Sequence, residues 1–182
     1  MAVTYNVVID QGADWYLNLI YKQPAQITNI VGNGTTVTVT ADNGLTPGQI
    51  VDIDGVIPSE FNLQNVTVAT ASASQFTVTN GATGLYISGG LATAPYNITG
   101  FTARMQLRSL PDSPDVVLNL TTENGGIAIT GPQGLIEVHA TAAQTTAIDE
   151  GPYYYDIEIQ SNSGIVTRVA QGQAIVSAEV TR

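Results

Sequence analysis

The chain has 182 residues, of which 43% are hydrophobic and 11% charged, a composition that can form a packed core and excludes wholesale disorder. Five basic residues stand against fifteen acidic ones, giving a formal net charge of −10, and the chain contains no cysteine. Disulfides and thiolate metal sites are therefore excluded, and a nucleic-acid partner is not expected because phosphate binding needs clustered Lys and Arg.

The basic residues are spread along the sequence and form no local cluster: Lys22, Arg104, Arg108, Arg168 and Arg182. The first residues, 1–6, lack the basic stretch and the apolar run of a signal peptide. No apolar segment approaches the roughly 18 residues that a membrane-spanning helix requires. We therefore expect neither a membrane nor a nucleic acid as partner.

Apolar and polar residues alternate with a period of two along most of the chain, which predicts half-buried antiparallel strands. The first strand pair is expected within Ile9–Tyr21, turning at Gln11-Gly12. Turn sequences such as Asn33-Gly34 and Asn162-Ser163-Gly164 separate the later runs. One short helical turn is expected, at 140–147. The pattern as a whole predicts an all-β sandwich or barrel.

The middle of the chain, 26–95, differs from its flanks in being rich in Thr, Val, Ala, Asn and Gly and nearly free of charge. Pro24 and Pro95 mark its two ends. Strands are expected here at Thr35–Ala41, Gln49–Ile53, Asn65–Thr70 and Gln75–Thr79. The first 25 residues are too few to bury a core alone. We therefore expect a small inserted β domain at 26–95, barrel or sandwich, within a discontinuous outer domain of 1–25 and 96–182, rather than two domains in succession.

Two runs of the outer domain predict which side chains are buried. Phe101, Ala103, Met105 and Leu107 share one face of the first run, and Tyr153, Tyr155, Ile157 and Ile159 share one face of the second. The residues between them are polar, except for Tyr154, and are expected to face solvent.

Three stretches of the outer domain together resemble a structural module of tailed bacteriophages. They are Ile9–Tyr21, the segment 98–108 with its Thr-Gly-Phe-Thr-Ala-Arg sequence, and Gly151–Arg182. Their order is similar to that of the Ig-like module at the N-terminus of upper-baseplate proteins, in which the Thr-Gly-Tyr/Phe-Thr-Ala-Arg segment follows soon after the first strand pair. Here roughly 70 residues intervene, which supports the inserted domain.

The inserted domain is itself similar to small β modules of phage tail and fibre proteins, in its Gly44–Gly48 turn, its Val51–Gly55 strand end and its Phe76–Thr79 strand. The resemblances imply an Ig-like antiparallel sandwich carrying a small β module. They also imply a virion protein of the tail or baseplate, assembled in the bacterial host cytoplasm. Its partners would be other virion proteins. Because the chain carries little charge and the strands at 2–9 and 173–180 are nearly uncharged, we also expect self-association through these terminal segments, in a homo-oligomer or a symmetric array.

Side chains that could support chemistry are few, and none forms a known catalytic pattern. His139 is the only histidine, and the chain has neither a Gly-x-Ser-x-Gly sequence nor a cysteine nucleophile. The acidic pairs Asp149-Glu150 and Asp156/Glu158 could in principle serve a glycosidase, but solvent-exposed β edges carry acids in the same way. We expect no catalytic residue, no cofactor and no enzymatic activity.

Asp52, Asp54 and Glu60 are oxygen ligands of the kind that calcium takes, but their spacing does not fit an EF-hand loop. The prediction is instead a hairpin turn at Asp54-Gly55 with both aspartates facing solvent, and no metal site.

Two alternatives to a tail or baseplate role stay open. One is a carbohydrate- or receptor-binding module of the tail tip, with the inserted domain as the recognition tip. Its aromatic residues Phe61, Phe76 and Tyr86 would then need to be exposed. The other is a head-decoration or neck protein.

Overall fold

The computed structural model describes residues 2–180, and Thr181 and Arg182, the end of the third resembling stretch, lie outside the described residues. The described elements are, in chain order, β1 Val3–Thr4, β2 Val7–Asp10, β3 Trp15–Ile20, β4 Lys22–Asn33, β5 Thr36–Ala41, β6 Ile50–Ile57, β7 Leu63–Ala71, β8 Gln75–Thr79, β9 Thr83–Leu85, β10 Ser88–Pro95, β11 Thr102–Arg108, β12 Leu118–Thr121, β13 Ile127–Thr130, β14 Leu135–Ala140, α1 Ala142–Thr146, β15 Gly151–Gln160 and β16 Val166–Ser177. Short 3₁₀ turns lie at Ser59–Phe61 and Gly131–Gln133. The fold is all-β, as the sequence pattern predicts.

The chain divides into two compact units. The inserted unit runs from Tyr21 to Asn97, and the outer unit contains the residues up to Ile20 together with those from Ile98 onward. The expected boundaries lay a few residues further inside, at 26 and 95. The difference arises because the sequence around Pro24 continues β4, which pairs with β10 from Lys22 onward.

The outer unit contains two sheets, each with one buried face. The larger sheet has the order β1-β16-β15-β11-β12, and β2 also pairs with β16; the smaller sheet has the order β13-β14-β3. Both N-terminal strands run parallel to β16, whereas its other neighbour, β15, is antiparallel. The predicted alternation is confirmed in β11 and β15, where Met105, Leu107, Ile157 and Ile159 are at most 1% exposed.

The inserted unit is a closed barrel, which decides between the two forms that the sequence left open. Six antiparallel strands pair in the cyclic order β4-β5-β8-β7-β6-β10, and β10 closes the ring by pairing with β4. The barrel core is aliphatic except for two buried phenylalanines, Phe61 and Phe76. All four strands expected here form, as β5 to β8, and β6 and β7 extend beyond their expected ends.

Two predicted turns differ from the structure. The chain does turn at Gln11-Gly12, but β2 and β3 belong to different sheets and do not pair as a hairpin. The predicted hairpin turn at Asp54-Gly55 is wrong, because both residues lie inside β6, which continues to Ile57. Gly55 has a φ of +72° and faces Gly90, whose φ is +99°, so the two glycines bend β6 and β10 without ending either strand.

The expected short helix is confirmed as α1. Thr141 caps it, since its side chain accepts the Gln144 backbone N–H while the Gln144 side chain accepts the N–H of Thr141. The buried Thr145 hydroxyl donates to the Ala13 carbonyl at 2.8 Å and accepts from the Gly12 N–H, so the helix fixes the turn after β2. No helix among residues 2–180 has the length and apolar character to cross a membrane.

Candidate functional site

The outer face of the larger sheet carries three rows of polar side chains, which line a groove of about 900 Å³. Each row crosses β11, β15 and β16 at one level of the strand pairing, and the side chains of a row are therefore neighbours. From one end of the groove to the other, the rows are Arg108, Tyr154 and Gln173; Gln106, Asp156 and Gln171; and Arg104, Glu158 and Arg168.

The third row is an ion-pair network centred on Glu158. One carboxylate oxygen of Glu158 accepts from Arg104 Nε at 3.0 Å and Nη2 at 2.6 Å, and the other lies 3.5 Å from Arg168. Arg168 also lies 2.9 Å from Asp156 in the neighbouring row. The hydrogen bond from Arg104 is the main reason that the pKa of Glu158 lies below its ordinary value. The network therefore holds Glu158 ionised and fixes the orientation of two guanidinium groups.

Arg108, at the opposite end of the groove, is held differently. Its guanidinium donates to the backbone carbonyl of Ser113 and to the Gln106 side-chain oxygen, the latter at 2.7 Å. Both acceptors are neutral, and no carboxylate of residues 2–180 lies within ion-pair distance of Arg108. Its positive charge therefore has no carboxylate in direct contact among the described residues, in a protein whose net charge is −10.

The N-terminal segment forms one wall of the groove through Thr4 and Asn6. The Asn6 side chain accepts the Gln173 N–H at 2.9 Å, and the Tyr155 hydroxyl donates to the Tyr5 carbonyl at 2.6 Å. Burial, with a smaller contribution from Tyr5, raises the pKa of Tyr155 to about 12, so this hydroxyl stays protonated as a donor at neutral pH. The wall is thus fixed to the sheet that it borders.

The structure places the candidate residues of the sequence analysis in separate locations. His139 lies on the polar face of β14, where its ring stacks on Tyr16 with centroids 4.4 Å apart and its Nε2 lies 3.3 Å from an Asp14 oxygen. Ala142 N–H also donates to that oxygen, which ties Asp14 to the start of α1. The histidine therefore connects β3, β14 and the helix start on the surface.

Asp52 and Asp54 lie in the barrel and are engaged by neighbouring strands. Asp52 accepts the Asn65 N–H at 2.9 Å and lies 3.7 Å from Lys22 Nζ, and Asp54 accepts from the Gln64 amide at 2.6 Å. Glu60 is exposed in the 3₁₀ turn. Across residues 2–180, no group of three or more His, Asp or Glu side chains is arranged to hold a metal ion.

The two acidic pairs have different environments. Asp149 and Glu150 are exposed before β15, whereas Asp156 and Glu158 lie in the groove against Arg104 and Arg168. A glycosidase needs a general acid whose pKa is raised, and that of Glu158 is lowered. The groove carboxylates thus have the environment of structural ion pairs.

The tyrosine cluster divides as predicted, with Tyr153 and Tyr155 buried and Tyr154 half-buried on the outer face. The Tyr153 hydroxyl donates to the Asp149 carbonyl at 2.9 Å. Tyr154 and Tyr155 both line the groove, and Tyr154 does so from the row that it shares with Arg108.

Sequence reasoning missed the groove because it treated the arginines as scattered. Three of the five basic residues, Arg104, Arg108 and Arg168, line it. The alternation in β11 contained part of the signal, since Arg104, Gln106 and Arg108 had to share one face. The contribution of Arg168 depends on the pairing of β16 with β15, which includes a register shift at Ile157/Glu158 that no local pattern reveals.

Comparison with known proteins leaves this geometry as the main guide to function. No protein-family model matches the chain, and no curated protein matches it either.

Proposed function

We propose that this protein is a non-enzymatic structural component of a tailed-phage virion, located in the tail or baseplate, and that its outer unit is an Ig-like sandwich. The proposal rests on the location of the three stretches that resemble the phage module. They contribute β3, β11, β15 and β16, all strands of the outer unit, and the barrel interrupts the chain between β3 and β11. The long gap between the first two stretches is thus a separate folded unit.

The strand order of the outer unit supports the Ig-like assignment. Ig domains place strands B, E and D in one sheet and C, F and G in the other. Equating β3, β13 and β14 with B, D and E, and β11, β15 and β16 with C, F and G, gives the same neighbours in both sheets. In this assignment the barrel is inserted between strands B and C.

A second feature of Ig sandwiches has a counterpart in Tyr153. In such domains a tyrosine near the start of strand F donates its hydroxyl to the backbone a few residues upstream, at the corner between strands E and F. Tyr153 lies near the start of β15 and donates to Asp149, four residues earlier. This tyrosine corner supports the equation of β15 with strand F.

Assembly with neighbouring virion proteins accounts for the low charge content and for the exposed apolar side chains. Val3, Tyr5, Val8 and Ile175 are between 45% and 64% exposed, and they lie on or beside the strands at one edge of the larger sheet. Exposed apolar edge strands invite pairing with other chains unless they are covered. The partners we propose are other virion proteins and further copies of this chain.

Immunogold electron microscopy of particles purified from the source culture tests this proposal. We expect gold particles at the tail, at its tip or baseplate. Label spread over the capsid would support the head-decoration alternative instead. Particles that carry no label, although the antibody detects the protein in the lysate, would overturn the virion assignment.

One observation favours the carbohydrate-binding alternative, namely the polar groove, but this groove lies in the outer unit and not in the inserted unit. Phe61 and Phe76 are at most 1% exposed in the barrel core. Tyr86 is half-buried, and its hydroxyl donates to the Ile27 and Gly89 carbonyls. These three residues therefore do not form the exposed aromatic platform that a recognition tip there would need. The polar groove of the outer unit is instead the location that suits a soluble ligand.

A further inference from the structure

The nine side chains of the three rows are planar hydrogen-bonding groups throughout. They comprise three guanidinium groups, three carboxamides, two carboxylates and one tyrosine. Carboxamides donate and accept, guanidinium groups only donate, and carboxylates only accept. Donors and acceptors thus alternate over a surface three strands wide. A ligand that fills it must itself donate and accept at many closely spaced points, as the hydroxyl groups of an oligosaccharide do.

The nine side chains of the rows lack what a protein partner would use as an anchor, although Pro111 and the buried Tyr155 also line the groove. Stable protein interfaces have a core poor in charged residues, with buried aromatic or aliphatic side chains at its centre. Here five of the nine side chains are charged, Tyr154 is the single aromatic ring, and the rows contain no aliphatic side chain. The composition of the groove therefore favours a hydrated polar ligand over a protein surface.

The charges of the groove indicate that this ligand is acidic. Arg108 donates only to neutral oxygens. Arg104 donates to Glu158 through Nε and Nη2, and its Nη1 donates no hydrogen bond to residues 2–180. The guanidinium fork matches the geometry of a carboxylate. With three arginines against two carboxylates, the groove has a positive excess that the rest of the acidic chain lacks.

The groove is also organised before any ligand arrives. Glu158 contacts both Arg104 and Arg168. Arg108 donates to Gln106 and to the Ser113 carbonyl. Asn6 accepts the Gln173 N–H, which holds the N-terminal wall against the sheet. Side chains whose orientations are already restricted by such contacts lose less conformational entropy on binding. We propose that this groove binds an acidic oligosaccharide, whose carboxylate lies against Arg108 and whose hydroxyl groups bond to the carboxamides and the Glu158 network.

This inference goes beyond the virion assignment and does not depend on it, because it rests only on the side chains of the outer unit. The test uses the full chain on an array of oligosaccharides that contain uronate or sialate, each printed beside a neutral counterpart of the same linkage. We expect retention of acidic members of the array and weaker or no retention of their neutral counterparts. The affinity for the best acidic member is then measured by titration calorimetry.

Arg108→Gln should weaken that affinity about tenfold or more, because it removes a charge-assisted hydrogen bond. Lys22→Gln is the matched control, since it removes the same charge from the barrel and should leave the affinity unchanged. If Arg108→Gln does not fold, amide chemical shifts of the wild-type protein replace it, and the acidic oligosaccharide should perturb β11, β15 and β16.

Three results would overturn the proposal. The first is no retention of any acidic member of the array. The second is binding that Arg108→Gln leaves intact or that perturbs amides outside the three strands. The third is tighter binding of a poly-glutamate peptide, with the same sensitivity to Arg108→Gln, which would make the groove a docking site for an acidic protein segment.

Discussion

Buried and exposed residues alternate along β15, so substitutions at adjacent positions should lower the free energy of unfolding by very different amounts. Ile157 is fully buried, whereas the Glu158 side chain is 19% exposed and faces the groove. Ile157→Ala should lower the free energy of unfolding by about 2–5 kcal/mol, because it leaves a cavity in the core. Glu158→Ala should lower it by about 1 kcal/mol or less, since its arginine partners are about half exposed. Chemical denaturation measures both, and equal losses would contradict the strand register.

Glu158 also gives the protein a defined response to acid. Because its pKa is lower in the folded than in the unfolded state, its contribution to stability is complete above the ordinary value of 4.5 and is lost as pH falls through the lowered pKa. The stability difference between wild type and Glu158→Gln should therefore be constant near neutral pH and shrink below pH 4.5. Denaturation curves at a series of pH values measure it.

Arg104 provides the control for this pH dependence, because its hydrogen bond to Glu158 is the largest cause of the lowered pKa of Glu158. Arg104→Gln should remove much of the same acid-sensitive stability, and adding Glu158→Gln to it should change little more. A difference between wild type and Glu158→Gln that persists unchanged into acid would show that the pKa of Glu158 is not lowered.

At the level of the elements, the N-terminal wall of the groove depends on one glycine of β16. A Cβ built on Gly172 would lie 2.1 Å from the Tyr5 carbonyl oxygen, which is a backbone atom and cannot turn away. Gly172→Ala should therefore displace the segment around Tyr5, lower thermal stability and break the hydrogen bond from Tyr155. Amide exchange should then speed up at Tyr5, whose N–H donates to the Gln171 carbonyl.

Gly44→Ala is the control for that substitution, since a Cβ there would meet only a Tyr96 ring carbon at 3.8 Å. It should leave both stability and exchange at Tyr5 close to wild type. Unchanged exchange at Tyr5 in Gly172→Ala would mean that the N-terminal strands are not held against β16.

The terminal strands also revise one expectation from the sequence. The nearly uncharged sequences of 2–9 and 173–180 favour both segments as docking strands. In the structure β16 pairs with β15 on one side and with β1 and β2 on the other as far as Ser177, so it is not an edge strand. On this side of the larger sheet, the edge open to a neighbouring chain is formed by β1 and β2. We therefore expect assembly contacts to involve this edge, burying more than about 1,000 Å² in total.

Structural features that depend on residues close together in the sequence could be predicted, and features that depend on the pairing of distant strands could not. The faces of β11 and β15 and the short helix depend on neighbours within a few residues, and the sequence predicts them. The Asp54-Gly55 turn was predicted from a dipeptide, but the pairing of β6 with β10, about 35 residues away, keeps the strand continuous. The groove depends on three strands meeting in register, and the sequence offered only the β11 part of it.

For the whole molecule, the division into two units predicts that each folds without the other. Lys22 and Pro95 are cross-strand neighbours, so the barrel begins and ends at the same place. Replacing 21–97 with a short glycine-containing turn should leave a folded outer unit, and 21–97 alone should form the barrel. Circular dichroism with thermal unfolding should give a cooperative β-type transition for each. A disordered chain after the deletion would contradict the insertion.

The protein, as we propose above, is a permanent part of a virus particle. Quantitative mass spectrometry of particles from the source culture, purified through a density gradient, measures whether it is. We predict that the protein follows the major capsid protein through every gradient fraction at a constant ratio of a few copies per particle, as a tail or baseplate component would. A protein that separates from the particles, although it is present in the starting lysate, would contradict the claim.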